Sequence, residues 1–295
     1  MKHRLEYALV WLVMQAMRLL PMSAVRASGS ALGRLAYLVD RPHRRVALEN
    51  LAAAFPTRSA GERTAIARGA FMHFGQLLLE LLKFGTMSND EIMARVEYDG
   101  EDRTWSAYEQ GRGVLFFTGH FGCWELQAVA HGIHFEPIGV LARALDNPLL
   151  NALLERIRQR TGNSVIYRRG TIRRVMRTIE ARHGVAILID QHIMSSDAIA
   201  VDFFSRPAAT TSLVAALALR TGAAVVPVFA LRLPGGRYRF IYDHPIAPPP
   251  PDATDAVRDF TQRCTDVLEM YVRRNPEQWL WMHRRWREAE LRNAD

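Results

Sequence analysis

Short apolar runs alternate with amphipathic stretches through the middle of the chain. Four runs are almost continuously aliphatic or aromatic, which is typical of strands covered on both faces of a sheet. These predicted strands are 113–119, 136–142, 184–190 and 223–232. Stretches with helical spacing of apolar positions follow them, at 122–131, 147–161, 171–182, 211–221 and 253–274. The alternation predicts an α/β fold: one domain around a central, mostly parallel sheet flanked by helices.

One further strand is expected to make this sheet mixed. The segment YRFIYDHPI (238–246) follows a Pro-Gly-Gly turn at 234–236, directly after the fourth apolar run. A strand, a short glycine turn and a second strand form a hairpin. We therefore predict that this segment adds an antiparallel edge.

Helices are predicted before the first strand. Residues 44–84 have helical periodicity, broken at 55–63, where Ser59 precedes Glu62 by three positions in the manner of a helix cap. The second helix carries a wide apolar stripe, which is more typical of a protein core than of membrane contact. His73 is expected at the surface or boundary of this helix.

The N-terminal segment allows three interpretations. Its uncharged run, Tyr7 to Met17, is shorter than the ~20 residues that span a bilayer, but snorkelling of the flanking charged side chains extends it to 5–25. We favour an uncleaved membrane-anchoring helix over 1–25, which spans the membrane or lies on it, followed by one domain over 26–295. A core helix and a cleaved signal peptide ending near VRA (25–27) remain the alternatives.

Composition indicates a globular, basic protein. Hydrophobic residues make up 49% of the chain, and 38 Lys plus Arg against 30 Asp plus Glu give a net charge of +8. Only Lys2 and Lys83 are lysines, and the arginine fork suits phosphate and carboxylate, although GC-rich coding also enriches arginine. The two cysteines, Cys123 and Cys264, are expected to be reduced thiols. An anionic partner is therefore favoured.

The segment FFTGHFGCWEL (116–126) carries the candidate chemistry. His120 follows the first predicted strand, at the edge where α/β sheets bind ligands. If the chain bends at Gly119 and Gly122, His120 can meet Glu125 in the first turn of the next helix. A histidine bonded to a carboxylate removes a proton from a hydroxyl near neutral pH, and free amides at the helix start stabilise an oxyanion. The pattern predicts acyl transfer from a thioester to a hydroxyl.

Other interpretations of this cluster stay open on these residues alone. A histidine beside a glutamate near a helix start is often a cap or a surface pair. A metal site would draw on Glu125, His131 and His134, which lack the dense spacing of His-Glu-x-x-His, so no metal is expected. Cys123 lies near a helix N-terminus and is either a nucleophile or, as we favour, a packed thiol.

The block HFGCWE resembles the His-x4-Glu block of the lipid A biosynthesis lauroyl and myristoyl acyltransferases, within the lysophospholipid acyltransferase superfamily. Similar blocks follow in the family's order over roughly residues 45–290, and their co-occurrence is far more specific than His-x4-Glu alone. Cys123 departs from the family pattern, which usually has asparagine there. The other blocks are ALENLAAAFP (47–56), LARALDNPLLNALLERIRQRTG (141–162), AILIDQ (186–191), VDFFSRPAATT (201–211), TGAAVVPV (221–228) and PEQWLWMHRRW (276–286).

The resemblance implies roles for five residues. His120 would be the general base and Glu125 its orienting carboxylate. Asp190, at the end of AILID, would project into the same cleft to support His120 or hold the acceptor, unless it caps the following loop. Arg143 and Arg206 would bind anionic parts of the substrates, although each is as readily a capping or surface arginine from sequence alone.

The resemblance also implies the reaction and the partners. A monomer without a cofactor would move a fatty acyl group from acyl carrier protein to a hydroxyl of a lipid A precursor, at the cytoplasmic face of the inner membrane. The arginine excess suits an anionic lipid acceptor and an acidic carrier protein. Acyl-CoA-dependent acylation of a phosphatidylinositol mannoside, lysophospholipid or ornithine lipid would use the same residues.

Two non-enzymatic functions are the alternatives to an acyltransferase. The net charge prompts nucleic-acid binding, but the sequence contains no recognised nucleic-acid motif, so no nucleic-acid partner is expected. A catalytically inactive protein that binds lipid would keep the same fold and charge without consuming a thioester.

Overall fold

A computed structural model describes residues 1–167, 171–194, 198–250 and 252–286. The chain begins with four long helices, and a capping box formed by Ser59 and Glu62 starts the fourth, as predicted. A short helix, α5, leads from them to the sheet. Their bounds are α1 Lys2–Leu19, α2 Met22–Val39, α3 Arg41–Ala54, α4 Ala60–Phe84 and α5 Asn89–Met93.

Helices α2 and α4 pack backbone to backbone. A Cβ atom at Gly33 would lie 2.2 Å from the Phe71 carbonyl oxygen, and one at Gly75 would lie 2.3 Å from that of Gly29. His73, on another side of α4, contacts Gly122 and Arg232 and is buried rather than at the surface or boundary as expected. Within the described residues, no helix is long and apolar enough to cross a membrane.

The sheet begins after α5, and its strands alternate with helices. Helices were predicted at each of α7 to α11, and all five form. The strands are β1 Val96–Asp99, β2 Val114–Thr118, β3 Gly139–Ala142, β4 Ser164–Tyr167, β5 Gly184–Leu188, β6 Ala198–Asp202, β7 Pro207–Thr211, β8 Ala224–Arg232 and β9 Tyr238–Tyr242. The helices are α6 Glu101–Glu109, α7 Trp124–His134, α8 Pro148–Gln159, α9 Thr171–Glu180, α10 Leu213–Thr221 and α11 Ala256–Arg274.

Seven strands form one mixed sheet in the order β1-β9-β8-β2-β5-β3-β4. The pairs from β8 to β4 are parallel, and β9 runs antiparallel to β8 as predicted. However, β9 is not the edge strand, because β1 pairs with it on the outside. A separate antiparallel hairpin, β6 with β7, was also not predicted. The expected α/β fold with a mixed central sheet is confirmed.

Apolar side chains fill both faces of the sheet. One cluster lies under α9, α10 and α11 and includes α3 and the first half of α4, and the other lies under α1, the second half of α4 and α7. Trp279 and Trp281 of the C-terminal segment are fully buried in the first cluster. These tryptophans therefore pack inside the core. The C-terminal segment runs next to the residues that follow β2, where Trp279 pairs with Phe121.

Candidate active site

The turn between β2 and α7 is held by its backbone. Gly122 has a φ of +60°, and a Cβ atom there would lie 1.8 Å from the carbonyl oxygen of Ala230, so only glycine fits. The Gly122 amide donates to the Gln278 carbonyl oxygen, and the Cys123 amide donates to that of Ala230, each at 2.9 Å. These amides are engaged, whereas no side chain caps the first turn of α7. Any oxyanion site of amides is thus confined to that turn.

His120 is bonded to Asp190. The imidazole Nδ1 lies 2.8 Å from Oδ1 of Asp190, and the His120 backbone amide donates to Oδ2 at 2.7 Å. The indole N–H of Trp279 also donates to Oδ2, at 2.8 Å. Asp190 is 2% exposed and ionised, so it only accepts hydrogen bonds. Nδ1 therefore carries the proton, and Nε2 is left with a lone pair.

The environment tunes both members of this pair. Burial lowers the pKa of His120, but the charge and hydrogen bond of Asp190 outweigh it and raise the pKa above its usual value. Burial raises the pKa of Asp190. The charge of His120 and the three N–H donors lower that pKa by more than burial raises it, so the net pKa is below its usual value. The side chain of His120 is 20% exposed, and Nε2 accepts a hydrogen bond from the exposed Gln191 amide at 3.3 Å. Nε2 is therefore the nitrogen available to a substrate.

Glu125 does not bond to this imidazole. Its carboxylate forms a bidentate pair with Arg158 of α8, in which Arg158 Nε donates to Oε2 at 2.8 Å and Nη2 donates to Oε1. Both side chains are largely buried. The expectation that Glu125 orients His120 is not met in this geometry, because Asp190 makes that contact. Glu125 still acts on His120 through its charge, as a smaller contribution to the raised pKa.

An apolar cavity is lined by Trp124, whose ring centroid lies 5.2 Å from that of His120. It lies between the sheet and α7. Trp124, Glu125 and Arg158 line it near the β2–α7 turn, and His131 and Tyr242 line it further along α7 and β9. The remaining lining is mostly aliphatic or aromatic, from β2, β3, β5 and β8. These apolar walls suit a hydrocarbon chain, and Trp124 lies between them and the His120 ring.

The sequence model of the bacterial lipid A biosynthesis acyltransferases matches residues 2–288. The chain belongs to this family. It is therefore an O-acyltransferase, as the resemblance of its blocks predicted.

The chain is similar to several curated proteins and to one solved structure. The lipid A biosynthesis lauroyltransferase of Escherichia coli (strain K12) is 28% identical over 96% of this chain and 90% of its own length. The lipid A biosynthesis myristoyltransferase of the same organism is 25% identical over 85% and 77%. A phosphatidylinositol mannoside acyltransferase of Mycolicibacterium smegmatis is 22% identical over 75% and 72%. The crystal structure of a 1-acyl-sn-glycerophosphate acyltransferase from Thermotoga maritima matches with a TM-score of 0.38 and 14% identity, over 86% of this chain and 96% of that chain.

The two arginines expected to bind substrate lie apart from the pair. Arg143 is exposed directly after β3, two strands from β2, or ~10 Å at the usual strand spacing. Arg206 lies in the β6–β7 hairpin with its guanidinium 5.8 Å from the Trp286 ring. It lines an open depression with Arg45 and Arg284. The structure thus brings His120, Asp190 and Glu125 to one site and places Arg143 and Arg206 on other elements, after β3 and in the β6–β7 hairpin.

Other residues of the acyltransferase site were missed by sequence reasoning. Arg158 lies 33 positions from its partner Glu125, and Trp279 lies 89 from Asp190, so no local spacing pointed to either. Gln191 lay within a family block but was given no role. Cys123, weighed as a nucleophile, is fully buried, and burial raises its pKa to about 12, which fits the packed thiol that we favoured.

Proposed function

We propose that this enzyme transfers a fatty acyl group from an acyl carrier protein thioester to a hydroxyl of a lipid A precursor, with His120 as the general base. The observation that carries the proposal is the His120–Asp190 pair, in which Nε2 of His120 keeps its lone pair and the ring contacts Trp124, a wall of the apolar cavity. Family membership and the named activities of the relatives support the reaction class and the acceptor.

The chemistry follows from the protonation states of this pair. The acceptor hydroxyl approaches Nε2 of His120, and its oxygen attacks the thioester carbonyl carbon as Nε2 takes the proton. Asp190 stabilises the imidazolium that forms, since its carboxylate already accepts the Nδ1–H. The tetrahedral intermediate then collapses, the C–S bond breaks, and the thiolate takes the proton from Nε2. The products are an ester and a thiol, and no covalent enzyme intermediate forms.

The cavity is proposed to hold the acyl chain. Its walls are mostly apolar, and Glu125 and Arg158 are the charged pair that lines it. The guanidinium of Arg158 brings positive charge to the region where the oxyanion develops, which is the arrangement that stabilises acyl-transfer transition states. Glu125 is then an orienting partner of Arg158 rather than of His120.

The acceptor is proposed to bind across the arginines at the rim. Arg206 with its neighbours Arg45 and Arg284, and Arg143 at the end of β3, are guanidinium groups suited to phosphates and acidic sugars. The net charge of +8 also favours an anionic partner. These residues would fix the acceptor so that one hydroxyl faces His120.

Membrane contact is proposed to occur through α1, at the cytoplasmic face of the inner membrane. One face of this helix packs on the domain through Val10, Val13 and Met14. The opposite face exposes Leu5, Leu9, Leu12 and Leu19, each more than half exposed, in a stripe at helical spacing. Such a stripe, with Lys2, Arg4 and Arg18 on the same helix, suits a helix that lies in a lipid interface.

A second acceptor class is favoured by one relative. The similarity to a phosphatidylinositol mannoside acyltransferase supports acylation of another membrane lipid. Acyl-CoA is the alternative donor in this second proposal. The same pair and cavity would serve both reactions.

The test is an assay of the purified enzyme with acyl carrier protein and CoA thioesters against a panel of lipid acceptors, with products identified by mass spectrometry. We expect an acylated lipid A precursor from the carrier-protein thioester. His120→Ala should lower turnover by ~10²- to 10⁴-fold, the contribution of a general base, and remain folded. Near-normal turnover of folded His120→Ala would refute the mechanism. Salt-dependent DNA binding without any thioester consumption would support the nucleic-acid alternative instead.

A further inference from the structure

A second cluster of charged side chains lies buried behind the catalytic turn. Glu80 of α4 is fully buried and accepts hydrogen bonds from two guanidinium groups. Arg26 of α2 donates from Nε at 2.7 Å, and Arg232 at the end of β8 donates from Nη2 at 2.6 Å and from Nε at 3.2 Å. Buried ion pairs often stabilise a fold no better than apolar residues would. Stability alone is therefore a weak reason for this cluster.

His73 connects the cluster to the catalytic turn. Arg232 Nη1 donates to His73 Nδ1, and because a guanidinium only donates, the imidazole proton lies on Nε2. His73 Nε2 lies 3.1 Å from the carbonyl oxygen of Gly122 and donates to it. Burial, and then the charge of Arg232, lower the pKa of His73 well below its usual value, so the ring stays neutral. The chain of contacts runs from Glu80 through Arg232 and His73 to Gly122.

The other polar groups of this turn are held by different elements. The Gly122 amide is held by the C-terminal segment, and the Cys123 amide by β8. The His120 amide is held by Asp190, and the His120 carbonyl oxygen accepts from the Leu280 amide at 3.1 Å. The Gly122 carbonyl oxygen is held by the side chain of His73. Loss of that donor leaves the Gly122–Cys123 peptide anchored only through its N–H, two residues from the base.

We propose that His73 is a positioning residue for His120: through the Gly122 carbonyl it fixes the catalytic turn so that the imidazole of His120 keeps its contact with Asp190 and its direction towards substrate. The inference rests on the proposed function, since it concerns the same base. A shift of about 1 Å in a reacting group costs ~10²-fold in rate. Removal of the His73 donor is expected to cost about that much.

Three variants separate positioning from packing. His73→Phe keeps a flat ring beside Phe74 but removes the donor. His73→Gln keeps an N–H near the position of Nε2. The matched control is His134→Phe, at the far end of α7, where the imidazole bonds to Glu101 and stacks on Tyr98. We expect a ~10²-fold loss of kcat with KM little changed in His73→Phe, recovery of most activity in His73→Gln, and wild-type activity in the control.

A second readout does not depend on any substrate. The imidazole of His120 can be titrated by NMR with labelled histidine. In the wild type, Asp190 raises the pKa of His120, so a loosened turn should lower that pKa in His73→Phe but not in His73→Gln. Should wild-type enzyme acylate no lipid, the proposed function fails, while this titration still tests the positioning role.

The proposal fails if folded His73→Phe melts at a lower temperature yet keeps the wild-type kcat and the wild-type titration of His120. That result would make the buried cluster a purely structural device. Where His73→Phe does not fold, His73→Asn serves in its place, since its shorter amide does not reach the Gly122 carbonyl. The same two readouts then decide.

Discussion

Asp190→Asn tests the reasoning about His120 most directly, because the structure predicts how the amide must sit. Oδ2 of Asp190 accepts two N–H groups, from the His120 backbone and from Trp279, whereas Oδ1 accepts one, from Nδ1 of the imidazole. An asparagine keeps the hydrogen bonds from the His120 amide and the Trp279 indole when its amide oxygen takes the place of Oδ2. Its NH₂ group then faces Nδ1, and the imidazole must move its proton to Nε2. The nitrogen that faces substrate thereby loses its lone pair.

The cost of recovering the active tautomer sets the magnitude. To restore the tautomer with a proton on Nδ1, the asparagine amide would have to flip. The buried N–H groups of the His120 backbone and Trp279 would then face NH₂ without an acceptor, which costs ~1–3 kcal/mol each, or ~2–6 kcal/mol together. At about 1.4 kcal/mol per factor of ten, kcat should fall by roughly 30- to 10⁴-fold. The corresponding change in a serine protease triad costs ~10⁴-fold, for the same reason.

The assay is acceptor-dependent release of thiol from the acyl thioester, together with the ring ¹⁵N shifts of His120, which report the tautomer. Asp243→Asn is the matched control, because Asp243 accepts from the Tyr271 hydroxyl away from the site. Folded Asp190→Asn enzyme that keeps a protonated Nδ1 on His120, or that turns over within a few-fold of the wild type, would refute the account.

The same pair predicts opposite pH trends for activity and stability. Because the pKa of His120 is raised above 6.5, kcat/KM should fall on the acid side with a midpoint above 6.5. Because the pKa of His120 is raised in the folded state, protonation of His120 stabilises the fold fully below pH 6.5. This stabilisation is lost as pH rises through the pKa of His120 in the folded enzyme. Because the pKa of Asp190 is lowered in the folded state, its ionised carboxylate stabilises the fold above pH 3.8. This stabilisation is lost as pH falls through the pKa of Asp190 in the folded enzyme. The difference in melting temperature between wild type and Asp190→Asn should therefore be largest from about pH 4 to 6.5.

Three further variants test the rest of the site. Cys123→Ala should keep turnover within a few-fold of the wild type, and the wild-type enzyme should resist thiol reagents, because the Cys123 thiol is buried with a pKa of about 12. Complete loss of turnover in folded Cys123→Ala would instead support a nucleophilic Cys123. Arg158→Lys should lower kcat by ~10-fold or more, because lysine cannot bind Glu125 with two parallel bonds, and unchanged kcat would remove Arg158 from the mechanism. Ala186→Leu should narrow the cavity and shift donor preference towards shorter acyl chains, by ~10-fold or more in relative kcat/KM measured with a thioester length series; an unchanged preference would place the chain elsewhere.

Local sequence patterns determined much of the fold. The four apolar runs formed strands of the main sheet, and helices formed at all five predicted positions that follow them. The weaker elements were missed for a physical reason. β1 is a four-residue edge strand that is only partly buried, so its sequence VEYD lacks the apolar run of a covered strand. The Ser59 cap was predicted because its contacts lie within one turn of helix.

The composition of the site was decided by tertiary structure. The sequence placed His120 at the end of a strand and offered Glu125, five residues away, as its orienting carboxylate, with Asp190 either supporting His120 or holding the acceptor. In the fold, α7 directs Glu125 to Arg158, and Asp190 takes the imidazole. The reason is the register of β2 and β5: Thr118 pairs with Leu188, so the residues two positions beyond each, His120 and Asp190, emerge side by side.

Sequence by itself therefore fixed which segments become strands and helices and which histidine stands at the sheet edge, since both depend on neighbours within a few positions. Only the tertiary structure decided which carboxylate holds that histidine and which buried cations support the turn. Those partners are 33 to 152 positions apart along the chain, and the sheet order and helix packing bring them together.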